Sequence, residues 1–270
     1  MHTDQKIPVL IEQIISLYQE AGKYLQQNNE GQYLNKIAKT GLYKNQLRSL
    51  MGDTFEFSDH WLNMLNKFED QNDSLAVGYL YKLHASLMED ENKDLAGITL
   101  TARIYFLAAQ YLELGGLFTD ASHTYLKARA FYSKFQNWDG ADTAYYRHLI
   151  CHRKDMPYYS PQLIKALLFE WTTGYGYKPF RLLASSLIII HVFAAAFLFL
   201  DLIGWGGISG EGTNIWDYVY FSGITFLTVG YGDIIPSSIP AKVIALLVGF
   251  VGLGSYSLFI AMMARKMFKF

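Results

Sequence analysis

One cysteine, Cys151, serves a chain of 270 residues, so no disulfide can form within it, and a reducing, cytosolic setting for that region is expected. Phosphate-cradling glycine loops are missing too. No G-x-G-x-x-G and no phosphate loop of the G-x-x-x-x-G-K-S/T kind occurs, which removes the usual sequence signs of nucleotide chemistry. Among the histidines only His148 and His152 share a ligand-like spacing, and with Arg147, Arg153 and Lys154 around them they read as a surface cluster. Nothing resembles catalytic equipment, so no enzyme is expected, and no cofactor. The formal net charge is −1, and no nucleic-acid partner is expected. The most telling absence is local: residues 182–241 contain no Lys or Arg.

Two long apolar runs flank the outer part of that window. Residues 182–200 carry no charge over nineteen positions and residues 243–264 none over twenty-two, each long enough to cross a hydrocarbon core of about 30 Å as a helix. Lys178 and Arg181 precede the first run, and Arg265, Lys266 and Lys269 come after the second. The positive-inside rule then puts both ends in the cytoplasm, in a multi-pass protein of the cell membrane. Lys242 is the exception, snorkelling at the outer start of the second helix. Between the runs, residues 215–227 are too few to span but suit a re-entrant helix, with Thr213 and Asn214 as caps and the negative end of its dipole aimed at the space beneath the loop that begins at Thr228. Of the outer acids, Asp217 and Asp233 can concentrate cations at a mouth, whereas Asp201 and Glu211 are expected to be solvated turn residues. His191, inside the first run, reads either as a proton sensor or as a hydrogen-bonded packing residue.

After the short helix comes Thr228-Val229-Gly230-Tyr231-Gly232-Asp233. Removing water from a small cation in a low-dielectric medium costs on the order of 20 kcal/mol in the Born limit, so replacement oxygens are required. Backbone carbonyls supply them without a full charge. To aim successive carbonyls at one axis the chain must visit conformations that Gly230 and Gly232 permit. Thr228 adds a hydroxyl ligand, and Val229 and Tyr231 are expected to point into the surrounding wall. A second Gly-Tyr-Gly at residues 174–176 lacks the Thr-Val, the acid and the preceding helix, and reads as a flexible turn.

Residues 182–266 resemble the pore of the two-transmembrane potassium channel family, whose selectivity filter has this sequence. The resemblance implies potassium ions at the carbonyls of Thr228, Val229, Gly230, Tyr231 and Gly232. It also implies that Asp233 is braced by a pore-helix side chain, here Tyr220. Some relatives carry a pore-helix glutamate four residues before the filter threonine; this chain has Ile224, so a carboxylate pair is missing there. Gly252 falls where the family has a gating hinge, although close helix packing explains it as well and Gly254 is an alternative. Ser257, Ile260, Ala261 and Ala264 share one helix face and are candidates for the inner cavity and gate. One filter per chain requires four chains, hence a homotetramer.

Residues 1–156 are of another kind. They are polar, with no run judged long enough to span, and apolar positions at helical spacing mark a first helix through Ile7, Leu10, Ile11, Ile14, Ile15 and Tyr18. Further helices are expected near residues 31–51, 58–71, 74–89, 95–114, 118–134 and 138–153. A twenty-residue repeat places Tyr105, Ala108 and Ala121 in register with Tyr125, Ala128 and Ala141, a weak likeness to tetratricopeptide-type hairpins that ordinary bundle packing also explains. The acidic run 89–94 reads as a solvated loop.

The expected architecture is therefore an all-α membrane protein. A cytosolic helical domain at 1–156 leads through an interfacial helix and linker at 157–178 to a pore domain at 179–270. Within the pore domain the first span covers about 180–204, the pore helix 214–227, the filter 228–232 and the second span about 239–266. The expected function is passive potassium conduction, with membrane lipid as one partner and a cytosolic protein or small ligand of the helical domain as another. The alternative is a membrane-tethered scaffold that conducts little by itself.

Overall fold

In a computed structural model the backbone is described for residues 3–26, 30–51, 59–91, 94–209 and 214–268. The chain divides into two units, Met1–Leu163 and Ile164–Phe270. The expected start of the third helix at residue 58, the cap Thr213 and the acid Glu211 lie outside the described residues.

Among the described residues, seven helices build the first unit: α1 (Thr3–Gln26), α2 (Glu30–Met51), α3 (Asp59–Asp70), α4 (Ser74–Glu91), α5 (Leu95–Leu114), α6 (Phe118–Lys134) and α7 (Trp138–Lys154). Helices α4 to α7 pack each against the next, and α1 lies across α4. The apolar face of α1 supplies Ile11, Ile14 and Ile15 to the core, and Tyr18 stacks on Tyr79 with ring centroids 5.5 Å apart.

The repeat has a physical basis in its turns. Asn72, Gly116 and Gln136 each adopt a left-handed φ, of 54°, 80° and 60°. In each case the next residue's amide donates to a carbonyl five residues back: Asp73 to Phe68, Leu117 to Leu112 and Asn137 to Tyr132. That is a Schellman C-cap, and Asp73 and Asn137 then cap the following helix by accepting from Ala76 and Gly140. Tyr105, Tyr125, Ala108, Ala128 and Ala121 are completely buried, so small and aromatic residues alternate where the helices meet.

Two sequence expectations change here. By length and composition Leu95–Leu114 is long and apolar enough to cross a membrane. It is apolar because α4 and α6 cover it on two sides, burying Tyr105, Ala108, Ala109 and Leu112, which is the signature of a core helix. The acidic run is not simply a solvated loop: α4 continues to Glu91, Glu89 accepts from the Tyr105 hydroxyl at 2.8 Å, and Asp94 caps α5 by accepting from the Gly97 amide.

The second unit holds most of α8 (Pro161–Thr173), then α9 (Pro179–Leu202), β1 (Ile208–Ser209), α10 (Ile215–Phe226), β2 (Ile235–Pro236) and α11 (Ile239–Phe268). Helices α9 and α11 are the two membrane spans and α10 is the short re-entrant helix between them. All three pack mutually around Phe197, Leu200, Tyr218, Phe221, Phe226 and Val248, with the Phe197 and Phe221 rings edge to face at 5.0 Å. Strands β1 and β2 pair antiparallel, Ile208 opposite Pro236 and Ser209 opposite Ile235.

Candidate functional site

Helix α10 starts with a capping box. The Asn214 side chain accepts from the Trp216 amide at 2.8 Å, and the Asp217 carboxylate accepts from the Asn214 amide at 2.6 Å. Asp217 is thus engaged at the helix start. The other end of α10 is where the filter begins. Thr228 occupies the left-handed position of a Schellman cap, with φ of 57°, while its amide donates to Thr225 and the Val229 amide donates to Ile224 at 2.8 Å. Glycine is usual there; a threonine in this conformation is a strained residue.

The alternation continues. Gly230 and Gly232 have φ of 57° and 82°, whereas Val229 and Tyr231 do not have positive φ. In an extended strand successive carbonyls point to opposite sides; reversing the sign of φ at every second residue turns the intervening peptide planes so that the carbonyls gather on one side. A Cβ built on Gly230 or Gly232 would meet nothing within 4 Å, so backbone conformation, not crowding, is what calls for glycine. Val229 and Tyr231 are 48% and 73% exposed in the single chain, leaving them without a wall to pack on.

Behind the filter, the Tyr220 hydroxyl donates to Asp233 at 2.9 Å. A second carboxylate brace was not legible in the sequence. Asp201, at the end of α9, accepts from the Tyr218 hydroxyl of α10 at 2.7 Å and from the amides of Gly207 at 2.5 Å and Ile208 at 3.3 Å. The expectation of a solvated turn residue is therefore corrected for Asp201: one carboxylate ties the first span, the pore helix and β1, and β1 pairs with β2 just past the filter. The only hint was an acid ending an apolar run shortly before Gly206-Gly207. Gly207 itself is forced, because a Cβ there would sit 2.2 Å from the Phe197 carbonyl oxygen.

Gly252 lies against the end of the pore helix. A Cβ would fall 1.9 Å from the Phe226 carbonyl oxygen and 2.7 Å from its carbon, whereas one on Gly254 would meet nothing within 4 Å. Helix α11 buries Ala241, Val248, Gly252 and Met262 on one face. Ser257, Ile260, Ala261 and Ala264 lie on the opposite face: the first three are exposed, Ala264 is half-buried, and the Ser257 hydroxyl turns back on the Leu253 carbonyl at 2.9 Å. An apolar cavity of about 700 Å³ opens beneath Thr228, between Leu182, Ile190, Leu227, Tyr256 and Phe259. His191 is exposed, its Nδ1 2.7 Å from the Leu187 carbonyl of its own helix.

In the first unit a polar cluster around Asp120 is buried. Asp120 accepts from the Tyr79 hydroxyl at 2.7 Å and from Lys82 at 2.9 Å, while the Lys82 ammonium lies over the rings of Tyr18 and Tyr79. Burial works to raise the Asp120 pKa, but the Lys82 charge and the two hydrogen bonds outweigh it and hold it below the usual carboxylate range. His148 and His152 stack at 6.0 Å, and His148 Nδ1 lies 2.7 Å from the Ser122 hydroxyl. Among the described residues no group of three or more His, Cys, Asp or Glu side chains could hold a metal.

Two spans, a re-entrant helix and a glycine-alternating loop define a pore-loop domain. Residues 185–269 match the ion channel family. Over 57 residues the chain is 40% identical to a small conductance calcium-activated potassium channel protein of Drosophila melanogaster, covering 21% of this chain and 6% of that one. Over 54 residues it is 37% identical to the intermediate conductance calcium-activated potassium channel protein 4 of Rattus norvegicus, covering 20% and 13%. Over 88 residues it is 32% identical to the two pore potassium channel a of Oryza sativa subsp. japonica, covering 32% and 25%. The chain thus spans a quarter or less of the length of these relatives. No solved structure matches it.

Proposed function

We propose that the chain is the pore-forming subunit of a potassium-selective channel. Four copies surround one axis, with K+ held by the carbonyls of residues 228–232, and ions pass passively down their gradient. The observation that carries this reading is the alternation of φ along Thr228, Gly230 and Gly232, which gathers carbonyls on one side of a loop whose apolar side chains stay uncovered in the single chain. Tyr220 and Asp233 brace the filter from behind, Ser257, Ile260, Ala261 and Ala264 line the inner cavity and gate, and bending near Gly252 or Gly254 opens it. Both termini face the cytoplasm of a cell whose plasma membrane holds the protein.

The helical first unit regulates the pore, binding a cytosolic protein or small ligand. Its route to the pore is α8, whose exposed Ile164, Leu167, Leu168, Phe169 and Trp171 suit it to the inner membrane surface, lipid being the partner of that face. Purified protein in lipid vesicles tests the pore. The expected result is a K+ flux whose reversal potential tracks the K+ and not the Na+ gradient, abolished or made nonselective by Gly232→Ala, because alanine strains at φ of 82°. Absence of flux refutes the reading and favours a membrane-tethered scaffold; wild-type selectivity in that variant refutes the assignment of the filter to this loop.

A further inference from the structure

The Gly-Tyr-Gly at 174–176 is no filter; it builds a rigid corner. Gly174, Tyr175 and Gly176 have φ of 55°, 55° and 79°, three left-handed residues in succession, the middle one not a glycine. Strain of that kind persists only where the surroundings fix it. They do: the Gly174 amide donates to the Glu170 carbonyl at 2.9 Å, the Lys178 amide to the Thr173 carbonyl at 3.2 Å, and the Gly176 amide to the Thr173 hydroxyl at 3.2 Å. From the other side of the corner, the Ser185 hydroxyl of α9 donates to the Thr172 carbonyl at 3.2 Å and Arg181 donates to the Glu170 carbonyl at 3.3 Å. Helix α8 and the start of α9 therefore move as one piece.

At the surface of that piece stands Tyr177. Its hydroxyl accepts from Arg265 Nη2 at 2.9 Å, and the guanidinium carbon lies 4.3 Å from the centre of its ring. Arg265 comes directly after Ala264, at the cytoplasmic end of α11. One tyrosine thus holds the end of the second span by a charge-assisted hydrogen bond and a cation–π contact at once, a combination that is specific to arginine's planar fork.

We propose that Tyr177 and Arg265 form a latch that positions the cytoplasmic end of α11 against the α8–α9 corner, so that displacement of α8 is transmitted to the inner gate. Tyr177 is a positioning residue that touches no permeant ion. The role at the gate rests on the channel reading, whereas the positioning of α11 does not.

Both parts are tested on the full chain in lipid vesicles and planar bilayers. Spin labels at positions 168 and 266, diluted with unlabelled subunits, report the distance from α8 to the end of α11. The native Cys151 can stay, because burial pushes its thiol pKa up to about 12 and keeps it unreactive. A narrow distance distribution is expected, broadened in Tyr177→Ala and Arg265→Gln and kept by Arg265→Lys only in part. In single-channel records Tyr177→Ala and Arg265→Gln should each change the open-to-closed ratio in the same direction by about threefold to tenfold, the double variant changing it no further. Unitary conductance and reversal potential should stay unchanged. An unaltered distance distribution, or effects on gating that add, overturns the latch. A broadened distribution in a protein that passes no K+ upholds the positioning and refutes the channel reading.

Discussion

Gly252 offers the sharpest perturbation, because two opposite effects can be weighed. In the middle of a helix alanine is favoured over glycine by about 1 kcal/mol. Against that, the new Cβ of Gly252→Ala would lie 1.9 Å from the Phe226 carbonyl oxygen and 3.0 Å from its Cα. Neither atom is the loose end of a side chain. Relief requires α10 and α11 to separate by an ångström or more, and overpacking of this kind costs about 1 to 3 kcal/mol, with the upper end apt for a backbone obstacle. The net loss is about 2 kcal/mol per protomer. In the proposed tetramer it recurs four times. Phe226 is two residues before Thr228, so the displacement also reaches the Schellman turn from which the filter starts. Gly254→Ala is the matched control, since its Cβ meets nothing within 4 Å in the protomer and the helix preference acts unopposed. Thermal unfolding in detergent should show Gly252→Ala lowered on the order of 10 °C and Gly254→Ala unchanged or raised. K+ flux should fall in the first and persist in the second. If the two variants melt together and conduct alike, close packing is not the role of Gly252.

Replacing Asp201 with Asn keeps the shape but leaves the donors of Tyr218, Gly207 and Ile208 facing a weaker acceptor, at a cost of about 1 to 3 kcal/mol, read as a lower melting temperature and a faster decline of K+ flux in sustained recordings. His84 is buried in the first unit, and burial lowers its pKa to about 4 from 6.5. The unfolded chain therefore binds the proton more readily, and the stability present above pH 6.5 is lost as pH falls from 6.5 toward 4. By linkage the loss between pH 7.5 and pH 5 is about 2 kcal/mol. Denaturant unfolding at the two pH values should show this in the wild type and not in His84→Leu; an equal pH dependence in both refutes the assignment to His84.

Periodicity was enough for most of the helices, because apolar side chains recur every three or four residues wherever one face is buried, and the turns between them need left-handed residues that Asn72 and Gly116 advertise. Gln136 advertises nothing. It takes the same conformation because the helices on either side are already fixed by packing, with Tyr132 and Ala141 in the shared core. Helix α5 shows the limit of composition: an apolar twenty-residue segment reads alike whether lipid or protein surrounds it. The conformation of the loop at residues 228–232 was legible from local chemistry, since the glycines answer to φ and need no partner to explain them. The Asp201 brace was not, because its donors come from separate stretches and two of them are backbone amides, which carry no sequence signal. The same holds for Tyr177 and Arg265, eighty-eight residues apart and joined only by the fold.

The filter's own geometry explains why braces of this kind are needed. Thr228 occupies a left-handed conformation that costs a non-glycine residue about 1 kcal/mol or more, and the glycines beyond it could relax to many other conformations. Nothing within the loop holds it: Val229 and Tyr231 are largely uncovered, and Gly230 and Gly232 touch nothing that a Cβ would meet. Restraint must come from the two ends and, in the proposed tetramer, from neighbouring copies. At the start it is the α10 cap, itself fixed by Asp201 through Tyr218 and by Phe226 against Gly252. At the finish it is Asp233 on Tyr220, then β2 on β1, and β1 again leads to Asp201. Both ends thus converge on the contact surfaces of α10, which explains why a helix of only twelve residues carries an unusual share of aromatic hydroxyls: Tyr218 faces the first span and Tyr220 faces the filter. A loop held at both ends by one helix keeps its length, and length is what spaces the carbonyls; its diameter is left to the neighbouring subunits against which Val229 and Tyr231 are proposed to pack.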